Sequence, residues 1–230
     1  MTNEVLVKDK DIVVPGELLA EGMGNLPGQG TYRDGEKILA ARLGLVQVDG
    51  RTIKLKQLAG RYLPKTGDTI ICKVFEVNFS GWRVETNSAY PAMLSLKDAT
   101  SSFIQRGADL TQFYDIGDNV VCQVTNVTSQ NLVDVSMKGP GLRKLAGGRI
   151  IEVNTNKVPR IIGKQGSMIQ MIKEATKCNI TVGQNGLVWI DGDIDGEIVA
   201  VDVIKKIEEE AHQSGLTDRI KEYLSKVKVK

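Results

Sequence analysis

Residues 158–180 read VPRIIGKQGSMIQMIKEATKCNI, an apolar stretch with helical spacing that two glycines interrupt. Glycine inside a helix costs about 1 kcal/mol relative to alanine, so Gly163 and Gly166 argue against one continuous helix. The segment reads instead as two short helices joined by a tight loop. Pro159 suits the opening of the first. Met168, Met171, Ile172 and Ala175 share one face of a second that begins at Ser167. RIIEV before this pair, NITV and LVWI after it, and a final helical pattern from about Asp195 to His212 give the order β-α-α-β-β-α.

Two glycines around two polar residues leave the backbone bare where side chains would block an approaching sugar-phosphate chain. The amides that open the second helix favour phosphate at the same place, and Lys164 adds a full positive charge. A KH domain grips single-stranded nucleic acid with such a Gly-x-x-Gly loop. Gly163, Lys164, Gln165 and Gly166 are therefore the candidate clamp, with Arg160 and Lys173 broadening its basic rim. A bare G-x-x-G is a weak motif; its setting in IIGKQG and in the β-α-α-β-β-α order gives it weight.

Upstream, GDTIICKVFEV at 67–77 is echoed by GDNVVCQVTNV at 117–127. Each opens on a Gly-Asp turn and continues as a Val/Ile strand, so the two read as similar strands of one sheet. With SGWRVET and YPAMLSL between them and LVDVSMK after them, the pattern is five strands with a long excursion between the third and fourth. That suits a Greek-key barrel of the OB type. Residues before about 64 form short β-type runs separated by Pro15-Gly16, Pro27-Gly28, Asp34-Gly35 and Asp49-Gly50, a small β-sandwich or barrel. The glycine-rich stretch 22–35 fits no phosphate-loop spacing and reads as turn chemistry.

Three regions then carry a family resemblance. Residues 145–212 resemble a type I KH domain and 65–144 an S1-type OB domain, although Gly81-Trp82-Arg83 stands where S1 domains often show Gly-Ala-Phe, so that Trp82 either stacks a less favourably placed base or packs inward. VVPGELLAEG, GQGTY and GRYLPKTGD resemble the amino-terminal domain of the RNA-binding cap subunits of the exosome. The order matches over nearly the whole chain, and the compact length is similar to the archaeal members. The resemblance implies a multidomain fold, β-rich plus α+β: residues 1–64 as a β domain docking to the exosome ring, 65–144 as an S1-type RNA-binding barrel, and 145–230 as a KH domain with a basic carboxy-terminal tail.

It also implies a function. Three copies would sit on a hexameric ring of phosphorolytic exonuclease subunits, capture single-stranded RNA and guide its 3′ end into the pore, with the other exosome cap protein as a further partner. In the barrel, Trp82 and Phe103 would supply stacking faces and Arg83, Lys97, Arg106, Arg143 and Lys144 the cationic groove. A free-standing transcription or translation factor with the same modules, and a self-sufficient RNase, are the rival readings.

Composition bounds the remainder. With 30 Lys and Arg against 28 Asp and Glu, the net charge of +2 excludes a uniformly basic molecule. Charge is instead segregated: residues 145–182 carry six basic and two acidic side chains, 183–218 two and nine, and 219–230 five and one. Cys72, Cys122 and Cys178 form no C-x-x-C pair, which argues against a disulfide framework and a structural zinc site. DGDIDGEIVAVD at 191–202 is nearly a calcium loop, yet a strand precedes it where a helix would be required, so it reads as a strand-to-helix turn. His212 is the only histidine and ends an acidic helix, which leaves no nucleophile or metal-hydrolase cast. No catalytic residue, metal or cofactor is expected. With neither an 18-residue apolar run nor a signal peptide, the chain is expected to be cytoplasmic, without membrane contact.

Overall fold

The computed structural model describes residues 4–102, 104–105, 107–213 and 215–226. Contacts divide the chain into two units, Met1–Gly60 and Arg61–Lys230. The architecture is multidomain and strand-rich, with a closed five-stranded barrel and a KH domain in the second unit.

The first unit is built from eight short strands: β1 (Glu4–Val5), β2 (Ile12–Val13), β3 (Leu18–Glu21), β4 (Leu26–Pro27), β5 (Thr31–Asp34), β6 (Lys37–Ala40), β7 (Gly44–Asp49) and β8 (Thr52–Gln57). They form two sheets, ordered β1-β3-β6-β5 and β2-β7-β8-β4. Leu19, Ala20, Ile38 and Ala40 from the first sheet pack against Val13, Val46, Ile53 and Leu55 from the second, as the period-2 alternation of KILA and TIKLK requires. The glycine-rich stretch is consumed by sheet geometry. Gly28 N donates to Ile53 O at 2.8 Å, and Thr31 Oγ1 donates to the same carbonyl at 2.9 Å.

The barrel consists of β9 (Thr69–Asn78), β10 (Gly81–Glu85), β11 (Ala92–Ser95), β12 (Asn119–Val127) and β13 (Val133–Ser136). Its order is β13-β11-β10-β9-β12, closed by pairing of β12 with β13. β11 and β13 run parallel, and every other pair within the barrel is antiparallel. Between β11 and β12 the chain makes its long excursion through α1 (Leu96–Ala99), from which Ala99 and Leu110 return to the core. Tyr62, which lies before the first strand, also packs in this core.

The sequence echo has a structural meaning. β9 and β12 are adjacent and antiparallel, and each Gly-Asp turn brackets the same valine of the other strand: Gly117 N and Asp118 O bond to Val74, while Gly67 N and Asp68 O bond to Val124. The repeat therefore encodes a local two-fold relation. Cys72 and Cys122 occupy equivalent places in it, with their sulfurs 3.2 Å apart in the barrel interior. Burial, reinforced by that neighbour, pushes the Cys72 thiol well above its ordinary pKa, and both side chains pack in the core as small hydrophobes.

β14 (Lys144–Leu145) extends the sheet alongside β12 and leads into the KH domain. There β15 (Arg149–Glu152), β17 (Leu187–Asp191) and β16 (Asn179–Val182) form an antiparallel sheet ordered β15-β17-β16. α2 (Val158–Ile162), α3 (Ser167–Thr176) and α4 (Ile194–Glu210) cover it. Ile161, Met168, Ile172, Ala200, Val203, Ile204 and Ile207 pack on Ile180, Val188 and Ile190. Most of the tail forms one further helix, α5 (Leu216–Lys226), whose Leu216, Ile220 and Leu224 join this core at the i, i+4 spacing.

Barrel and KH domain share a buried apolar junction. Trp189, only 4% exposed, packs with Ile71, Val121 and Leu145. The turn between β16 and β17, Gly183-Gln184-Asn185-Gly186, enters the barrel wall. Asn185 is fully buried and donates through Nδ2 to Ile71 O at 2.7 Å and Thr86 O at 2.8 Å. A β-carbon on Gly183 would come within 2.4 Å of Asn185 Oδ1 and 2.9 Å of Ile71 N, so only glycine permits this approach.

Candidate nucleic-acid interface

α2 ends because Gly163 takes φ 76°, ψ 174°, a backbone region open essentially to glycine alone. A β-carbon there would also lie 2.7 Å from Met168 N. Gln165 at φ 54° and Gly166 at φ 80° complete the reversal, and α3 starts at Ser167. Lys164, Gln165 and Ser167 are exposed at the tip and the two glycines half-buried, with Arg160 exposed one turn earlier. Ser167 N donates back to Lys164 O, and the amides that follow it at the start of α3 favour an anion by the helix dipole. Among the described residues no carboxylate pairs with Arg160 or Lys164, so both cations face solvent beside a bare backbone. Lys173 stands six residues into α3, about 9 Å along the axis from its start, and is only partly exposed.

The barrel residues fare unevenly. Trp82 presents no face to a base: it is 0% exposed, its Nε1 donates to Tyr114 O at 2.8 Å, and its ring meets the edge of Tyr114 at 5.2 Å. Alternation along β10 explains the correction, since Trp82 and Val84 both point inward while Arg83 points out. Arg83 lies over the Phe75 ring at 5.3 Å and pairs with Glu76 at 2.9 Å. Lys97 is exposed on α1. Lys144 pairs with Asp118, and Arg143 stacks over Trp189 at 5.4 Å at the junction with the KH domain. Phe103 and Arg106 lie outside the described residues.

The exposed aromatics are ones that sequence patterns alone did not single out. Phe75 is 40% exposed beneath Arg83, and Phe79, in the turn from β9 to β10, is 96% exposed. The signal for Phe75 was present: inward Val74 forces its neighbour outward. A solvent-facing phenylalanine in a tight turn costs apolar hydration and offers a free π-face.

Other candidates resolve into structure. Asp193 is the N-cap of α4 and Asp195 and Glu197 fall in its first turn, where the helix dipole favours carboxylates. Among the described residues no group of three or more His, Cys, Asp or Glu side chains is placed to hold a metal ion. No described helix is long and apolar enough to cross a membrane.

Comparison with known proteins accounts for all three regions. Family models match at residues 12–49 (Exosome complex exonuclease RRP4 N-terminal region), 61–109 (RRP4, S1 domain) and 148–195 (KH domain). The Exosome complex component Rrp4 of Pyrococcus abyssi is 42% identical over 224 residues, covering 96% of this chain and 84% of that protein. The chain belongs to the Rrp4 family of exosome components. The Rrp4 of Methanothermus fervidus is 40% identical over 221 residues, covering 96% of this chain and 97% of that one. A solved structure described as a putative exosome complex RNA-binding protein superposes with a TM-score of 0.65 at 33% identity, covering 73% of this chain and 97% of that structure. These relatives are named as components and RNA-binding proteins of the complex, not as its catalytic subunits.

Proposed function

We propose that the chain is a non-catalytic RNA-binding cap of the exosome, which captures single-stranded RNA and guides its 3′ end into a phosphorolytic ring. The observation that carries this reading is the Gly163–Gly166 loop, its glycines half-buried and Lys164 and Gln165 exposed, with no carboxylate paired to Lys164 or Arg160 among the described residues. That arrangement seats a polyanionic strand without selecting its bases. Arg83 on Phe75, with the outlying Phe79, provides the barrel with a cation and π-faces for unpaired bases. Two weak grips on one strand become a strong one through effective concentration, more so if three copies surround a pore.

Residues 1–64 would dock to the ring. Ile12, Val14, Met23 and Leu26 of this unit are all more than half exposed, an apolar surface that a partner would cover. The other exosome cap protein would be an additional neighbour, and the complex would work in the cytoplasm.

The decisive experiment replaces Lys164 and Gln165 with aspartate in the full chain and measures binding of a 12-nucleotide oligoadenylate by fluorescence anisotropy. Affinity should fall on the order of tenfold or more, and the salt slope should shrink by about 0.7 for each phosphate no longer neutralised. Unchanged affinity removes the loop from the mechanism. Mixing with candidate ring subunits should give a larger species on sizing; free elution of both would return the chain to a free-standing factor. Shortening of labelled RNA by the isolated chain, with magnesium and phosphate, would overturn the non-catalytic assignment.

A further inference from the structure

We infer that His212, Gln213 and the start of α5 form the second wall of the strand's seat at the Gly-x-x-Gly loop, and that His212 on this wall contacts the phosphodiester backbone. The inference rests on the reading of that loop as an RNA site. A cleft of about 620 Å³ separates the two walls; Arg160, Gly163, Lys164 and Ser167 line one, and His212, Gln213 and Thr217 line the other. Its volume lies within the ~300–1,000 Å³ range of ligand sites.

The cleft suits an extended anion. α3 begins at Ser167 and α5 at Leu216, and both residues line it, so two helix N-termini of ten and eleven residues open into one space beside three basic side chains. The acids around His212 are partly engaged elsewhere. Glu210 bonds Arg219 Nε at 2.7 Å and Glu208 accepts from Asn154 N at 2.7 Å, which leaves Glu209 on its own helix and Asp218 on α5. His212 and Gln213 are exposed, so neither is needed for packing. The buried Leu216, Ile220 and Leu224 of α5 fix the start of that helix in place. α5 thereby acquires a role that its basic charge alone does not explain: it holds the far wall.

Since His212 is the only histidine in the chain, its imidazole Hε1 proton gives one unambiguous NMR signal. That signal is followed through a pH titration of the full chain, free, with a 12-nucleotide oligoadenylate, and with inorganic phosphate at the same phosphate concentration. Oligoadenylate should move the signal and raise the titration midpoint, because a neighbouring phosphate favours the imidazolium. Inorganic phosphate should move it much less. By anisotropy, His212→Ala should weaken binding by about threefold at pH 6 and less at pH 8, because an imidazole holds a phosphate more strongly in its charged form, which acid favours. Asp218→Asn should tighten binding by about twofold at low salt.

If oligoadenylate binds, and Lys164→Asp/Gln165→Asp abolishes binding, while the His212 signal stays still, the inference falls and the loop's role stands. If the signal moves equally with inorganic phosphate, the cleft is a small-anion site and the inference also falls. If the shift survives the double aspartate change, the cleft binds RNA without the loop, and it is the proposed function of the loop that fails.

Discussion

Asn185 completes the hydrogen bonding of Ile71: its Oδ1 accepts from Ile71 N at 3.3 Å and its Nδ2 donates to Ile71 O at 2.7 Å. Pairing of β10 with β9 ends at Glu85 opposite Lys73, so Ile71 lies two residues beyond its cover on that side. One carboxamide from the KH domain supplies what a strand would have supplied. Asn185→Ala should therefore cost about 2–5 kcal/mol, because it leaves several buried backbone groups unpaired. Urea denaturation should show the loss, and hydrogen exchange should show it concentrated at the Ile71 amide; an Ile71 amide protected as in the parent chain would refute the pairing.

The two loop glycines should differ in their tolerance of a methyl group. Gly163→Ala meets Met168 N at 2.7 Å and a backbone region costing about 1–3 kcal/mol, so it should destabilise the KH domain by about 3 kcal/mol or more. Gly166→Ala meets nothing nearer than Ile169 at 3.9 Å and incurs only the left-handed penalty of about 1–2 kcal/mol. Equal urea midpoints for the two variants would contradict this ranking.

Phe79 and Trp82, three residues apart, should separate binding from stability. Phe79→Ala removes a side chain that is 96% exposed, so thermal stability should hold while oligonucleotide affinity falls by the ~1–3 kcal/mol of a stacked base. Trp82→Phe loses the buried bond to Tyr114 O and should cost about 1–3 kcal/mol of stability. Anisotropy and a melting curve on both variants decide the matter; Phe79→Ala binding at parental affinity would remove the turn from the RNA surface.

Asp118 should give the barrel an acid-dependent increment. Burial raises its pKa, but the Lys144 ammonium and the Asp115 amide outweigh that and hold it below the ordinary carboxylate range. A depressed folded pKa means stability that is present above about pH 4 and lost as pH falls through the folded value. Asp118→Asn should then be less stable than the parent by about 1 kcal/mol or less at pH 7, and the difference should narrow as the pH falls below about 4. A difference that shows no narrowing down to the acid limit of folding would show that the pair is not its source.

The strands, the helix pair and the long excursion of the barrel were legible because each is written in local periodicity: alternation in TIICKV and NVVCQV, a 3.6-residue face in SMIQMIKEA. The Gly-Asp echo announced two like strands, though not that each turn would bracket the other strand's valine. Trp82 misled because a tryptophan beside an arginine looks like a binding pair, and which of two alternating neighbours faces inward depends on how the barrel closes. The carboxy-terminal tail was legible as a basic segment. Its i, i+4 leucines and isoleucine found a core to join only once α3 and α4 were packed.

The chain contains two Gly-x-x-Gly turns, 163–166 and 183–186, and their contrast marks the boundary between local and tertiary information. By itself, the sequence determined that both would be tight reversals, because a pair of glycines between apolar runs breaks a helix or a strand. Only the tertiary structure decided their fates: GKQG ends a helix facing solvent with its cation unneutralised, whereas GQNG ends a hairpin that the barrel receives, its asparagine satisfied by main-chain groups more than ninety residues away. The physical reason is that burial and hydrogen-bond partners are properties of the surroundings, and a four-residue turn carries no record of what will be folded against it.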